Sequence, residues 1–156
     1  MHHHAYLWAG PKDRFDQEAL RRPPHPDPPP AESKPEVILR YREVATEFSK
    51  SELPPIETAY WLVKPRSLVR GTWPDPDAAA AWLGDRLTEY APRFASPAQR
   101  AAGRPAALVA SARERLATGG DVSLGFYLER PAYLSLALVT CSPNRTSPGL
   151  PCPFDA

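Results

Sequence analysis

From residue 34 to residue 141 the chain contains no histidine. Nucleophile systems of the Ser-His-Asp or Cys-His kind therefore lack a base across that span. Cysteine is almost as scarce, with only Cys141 and Cys152 in 156 residues. Two cysteines, one of them in a C-terminal tail, do not make the four ligands of an ordinary zinc site. The expectation is a protein with no metal, no cofactor and no catalytic residue. Also missing are a Gly-x-x-x-x-Gly-Lys-Ser/Thr phosphate loop and a Gly-x-Gly-x-x-Gly turn after a strand. No stretch reaches the ~20 apolar residues of a membrane span. Met1 to Leu20 hold no apolar run of signal-peptide length, so a cytoplasmic location is expected. There the two cysteines stay thiols, although their spacing would close a small loop in an oxidising compartment. A net charge of +1 supplies no global field toward nucleic acid or anionic lipid.

Proline, by contrast, is abundant: 21 residues of 156, against a usual share of about 5%. The bias toward Ala, Arg and Pro suits a GC-rich, bacterial genome, which inflates proline without a functional reason. A hydrophobic fraction of 42% and a charged fraction of 24% are those of one globular domain. Residues 1–33 read as a flexible Pro-rich arm, because the six prolines between Arg21 and Pro30 lack amide hydrogens and favour polyproline II. His2, His3 and His4 could in principle ligate a metal, but on a flexible terminus they read as a tag remnant or a chance start.

Residues 34–141 read as the folded domain, followed by a Pro-rich tail over 142–156. Val37, Tyr41, Val44, Ala45 and Phe48 repeat at helical spacing and end before Pro54-Pro55. Thr58 to Lys64 and Ser67 to Trp73 are rich in β-formers and predict a hairpin turning near Lys64-Pro65-Arg66. Asp75-Pro76 opens a second helix with Leu83, Leu87, Tyr90, Ala91 and Phe94 inward. Ser96 to Gln99 start a third, kinked at Gly103-Arg104-Pro105 and stopped by Gly119-Gly120. Two runs of period 2, Val122 to Leu128 and Leu134 to Leu138, predict a second hairpin. The expected fold is a two-layer α+β domain of order αββααββ, one antiparallel sheet of about four strands with helices on one face.

With catalytic motifs absent, the expected function is a non-enzymatic interaction module: an accessory, inhibitor or immunity-type protein. Its binding candidates are Tyr127, Tyr133 and Ser135 on the second sheet face, the tryptophans Trp61, Trp73 and Trp82, and the basic residues Lys64, Arg66 and Arg70 of the first hairpin. That second face is either a recognition platform or a surface covered by the arm, a helix or a second subunit. A protein partner or homo-oligomer is expected. Two alternatives stand beside it. One is a small metal-independent enzyme, cyclase- or isomerase-like, with a carboxylate, tyrosine or Cys141 in a pocket between sheet and helices. The other is a DNA-associated regulator using the basic hairpin.

Overall fold

A computed structural model describes residues 1–155. The sheet is built around its longest apolar strand. Leu134, Leu136 and Leu138 point to one side of that strand and Ser135, Ala137, Val139 and Cys141 to the other, and all are buried. A strand apolar on both faces belongs inside a sheet covered on both sides.

Four strands form the sheet: β1 (His2–Pro11), β2 (Gly71–Trp73), β3 (Val122–Tyr127) and β4 (Ala132–Cys141). Their order is β2-β1-β4-β3, with every neighbouring pair antiparallel. Among the described residues six α-helical segments accompany them: α1 (Lys12–Phe15), α2 (Glu18–Arg21), α3 (Pro35–Lys50), α4 (Pro76–Tyr90), α5 (Pro97–Arg100) and α6 (Arg104–Ala117). The α+β class and the single antiparallel four-stranded sheet agree with the sequence reading.

One face of the sheet packs on α4 and α6 through Leu83, Leu87, Ala112 and Leu116. Asp75 caps α4, its Oδ1 accepting the Asp77 amide at 3.0 Å, with Pro76 in the first turn. Gly119, at φ 80°, stops α6 where L-residues with side chains are strained. The β3–β4 hairpin runs in the expected register, from Val122 opposite Leu138 to Tyr127 opposite Tyr133.

Three expectations are overturned. Residues 2–11 are not part of a flexible arm: they form an inner strand, paired along its whole length with β4, His2 opposite Cys141 and Pro11 opposite Ala132. Ala5 and Tyr6 are buried there, and Trp8 nearly so. The first hairpin is absent. Thr58–Val63 and Arg66–Leu68 are 3₁₀ turns, and only Gly71–Trp73 joins the sheet. Pro54, Pro55 and Pro65 break the run, and β1 takes the place beside β4 that a hairpin strand would need. The αββααββ order fails with it. Of the two readings of the second sheet face, the covered one is found: residues from Leu53 to Val69, Phe15 of α1 and Leu150 and Cys152 of the tail pack over it.

The third helical region is broken as its Gly-Arg-Pro implied, into α5 and α6. The first expected helix is present as α3, but of its apolar stripe only Phe48 is buried.

Candidate metal centre

Alternation along β1 sends His2, His4, Tyr6 and Trp8 to the second face and His3 and Ala5 to the first. Opposite His2 lies Cys141, the last residue of β4, so the two side chains leave the same face of the sheet. The tail then returns over that end and buries Cys152 beside them. Four ligand atoms meet as a result, all within 4.8 Å of one another: one from each of His2, His4, Cys141 and Cys152.

The contacts are reciprocal. His2 Nε2 is 3.1 Å from Cys141 Sγ and 3.2 Å from Cys152 Sγ. His4 Nε2 is 3.2 Å from Cys141 Sγ and 3.4 Å from Cys152 Sγ. Each nitrogen thus faces both sulfurs, and each sulfur both nitrogens. With His4 Nδ1–H donating to Thr72, two neutral imidazoles and two thiols keep three protons for these four contacts. A tetrahedral cation satisfies all four at once. With Zn–N of about 2.0–2.1 Å and Zn–S of about 2.3 Å, its N···S edges are about 3.6 Å.

The surroundings prepare these groups as ligands. His4 Nδ1 lies 2.7 Å from Thr72 Oγ1, and donating its hydrogen there leaves the Nε2 lone pair facing the sulfurs. Burial, with His2 and His3 adding to it, holds the His4 imidazole down at about 4, so it is neutral near pH 7. Burial also raises the Cys141 thiol, so it stays protonated near pH 7 until a bound cation displaces the proton. Phe154 covers the cluster, its ring 5.6 Å from that of His4, and Arg66 sits over Phe154 at 5.3 Å. Both cysteines are buried and free of disulfide.

His3 serves the other face. Its Nδ1–H donates to Thr140 Oγ1 at 2.7 Å, and the Thr140 hydroxyl donates to the Gly120 carbonyl at 3.0 Å.

The residues expected to bind a partner do not converge. Trp61 is buried, stacked on Tyr6 at 4.6 Å between centroids. Ser135 is buried under the same cover. Tyr133 is half-buried between Phe15, at 4.4 Å, and Tyr127, at 5.2 Å. It lies so close over Gly125 that a Cβ there would meet its hydroxyl at 1.9 Å. Tyr127 alone of this group is strongly exposed, at 62%. Trp73 and Trp82 pair on the opposite, helix-covered face at 6.3 Å. Lys64 is buried and donates to the Phe48 carbonyl at 2.6 Å, tying the last turn of α3 to the body, and burial lowers its ammonium to about 8. Arg66 and Arg70 are exposed, without the hairpin that was to carry them.

The sequence reading set aside His2 and His4 as a terminus. The signal available was His-x-His, a spacing that shares one face of a strand, with a cysteine at the end of the most apolar strand. No family model, no curated protein and no solved structure matches the chain.

Proposed function

We propose that this protein binds a zinc ion through His2, His4, Cys141 and Cys152, and that the ion fastens its two ends together. The convergence of two imidazole nitrogens and two sulfurs at 3.1–3.4 Å carries the reading. A mixed thiolate–imidazole set suits zinc better than the oxygen-seeking cations. Four protein donors complete its tetrahedron and leave no position for water or substrate, which is the form of a structural site. Thr72 supplies the test. Thr72→Val keeps the strand residue β-branched but removes the acceptor for His4 Nδ1–H, so zinc affinity should fall about 10–100-fold. Competition with a chromophoric chelator reads this directly, and an unchanged affinity would contradict the assignment.

A protein stapled in this way fits a role in binding another chain, not in catalysis. The contact surface is α3, where Val37 and Leu39 are exposed at 48% and 57% on different sides of the helix. The occupant is a protein partner or a second copy. Native mass measurement of protein from its own host should show a heavier species that the double variant Val37→Glu, Leu39→Glu loses. A bare monomer in both cases would end the interaction reading.

A further inference from the structure

Beside the tail, away from the four ligands, lies a cavity of about 490 Å³ between α6, β3, the start of the Thr58–Val63 turn and residues 145–147. Its size is within the usual range for a small-molecule site, about 300–1,000 Å³. Two arginines from distant parts of the chain meet at its wall. Arg115, in the last turn of α6, donates from Nε to the Asp121 carbonyl at 3.0 Å. Arg145, in the tail, donates from Nη1 to the Thr118 carbonyl at 3.0 Å. Both arginines are exposed, and each donates one hydrogen bond to the same turn, Thr118–Asp121. Arg145 Nη2 passes so close that a Cβ on Gly120 would lie 3.1 Å from it.

Each clamp uses one of the five N–H donors an arginine carries. Neither arginine forms an ion pair among the described residues, whereas Arg113, one turn-face away on α6, is paired with Asp77. One of the carboxylates on the lining is already engaged: Asp121 accepts the Thr140 amide at 2.9 Å and the Asn144 side-chain amide at 3.1 Å. Glu57 stands on the lining as the one other acid, and the hydroxyls of Ser111 and Ser147 complete the polar wall. Asn144 shapes the tail side of the cavity, its Oδ1 accepting the Thr146 and Ser147 amides at 3.0 Å.

We infer that this cavity binds a small molecule through an oxyanion group, a phosphate or a carboxylate, held between Arg115 and Arg145. Planar guanidinium forks with spare donors match such groups in a way lysines do not. The inference rests on the metal reading only for the position of one wall, since residues 145–147 lie between the ligands Cys141 and Cys152.

The test is calorimetric titration of the zinc-loaded full chain with inorganic phosphate, against sodium chloride of equal ionic strength. Saturable binding is expected, with Arg115→Ala and Arg145→Ala each weakening it at least tenfold and Arg113→Ala leaving it unchanged. Amide shifts on titration should centre on residues 118–123 and 145–147. The absence of saturable binding, or equal affinity in Arg145→Ala and the wild type, would overturn the inference. Zinc content measured on the same sample separates the two readings. Zinc without phosphate binding defeats the cavity alone, and phosphate binding without zinc defeats the metal centre alone.

Discussion

Cys152→Ser should lose stoichiometric zinc and melt about 10 °C below the wild type. The size follows from linkage: a ligand present at 100 to 1,000 times its Kd stabilises the folded state by about 2.7–4.1 kcal/mol. For a chain of this length each kcal/mol moves Tm by about 2–4 °C. Cys152 is the ligand chosen because it lies outside every strand, so its loss leaves the sheet ladders intact. Serine is nearly isosteric, and the buried site loses no packing volume of note. A chelator should bring the wild type down to the melting temperature of Cys152→Ser and leave the variant where it is. A wild type that ignores the chelator would contradict a metal staple. Near-coincident melting of the two untreated proteins would do so as well.

The second large effect concerns the first strand. Deleting residues 2–8 should abolish cooperative folding, whereas trimming a flexible arm would cost almost nothing. β1 is hydrogen-bonded on both sides, to β4 along ten residue pairs and to β2 along three. Its loss uncovers β4 in the centre of the sheet and removes Ala5, Tyr6 and Trp8 from the two cores. Tyr6 and Trp8 each bury on the order of 150–250 Å². At about 25 cal/mol per Å², the pair alone represents roughly 8–12 kcal/mol. That is most or all of the roughly 5–15 kcal/mol by which a domain is stable, before the lost β-ladders are counted. Collapse of amide dispersion in a ¹H–¹⁵N spectrum is the expected result. A truncated chain that keeps a dispersed spectrum and a sharp thermal transition would show that β1 is dispensable.

These two segments are where the sequence and the structure part company, and the reasons are physical. The β3–β4 hairpin, α4 and α6 were legible because each buries one face and shows it as a period of 2 or 3.6 residues. β1 buries both faces, so the run His-His-His-Ala-Tyr-Leu-Trp shows no alternation of apolar with polar residues. Its histidines make their side-chain contacts with Thr72, Thr140, Cys141 and Cys152, 68 to 150 residues away along the chain, and His3 Nε2 is buried without a partner. Partners so remote leave no local pattern. The segment from Thr58 to Val63 errs in the opposite direction. Its β-forming residues are real, but strand formation needs a neighbour, and between flanking prolines the chain closes into a 3₁₀ turn.

The site was half visible. The absence of histidine from residues 34–141 is correct as a statement of composition, and it excludes a histidine base inside that span. It does not exclude a metal, because three of the four ligands, His2, His4 and Cys152, lie outside it. The error was to treat both ends as detached from the domain. The fold joins them: the start of β1 and the end of β4 are paired at His2 and Cys141, and the tail crosses back over that edge.

The measurement that bears most directly on this account is native mass spectrometry of the full chain, purified without metal-affinity chromatography. One zinc per chain is expected, with the two cysteine protons lost on binding. A metal-free chain is expected for His4→Ala and for Cys152→Ser. A wild-type chain that carries no metal, with Cys141 and Cys152 as free thiols or joined in a disulfide, would contradict it.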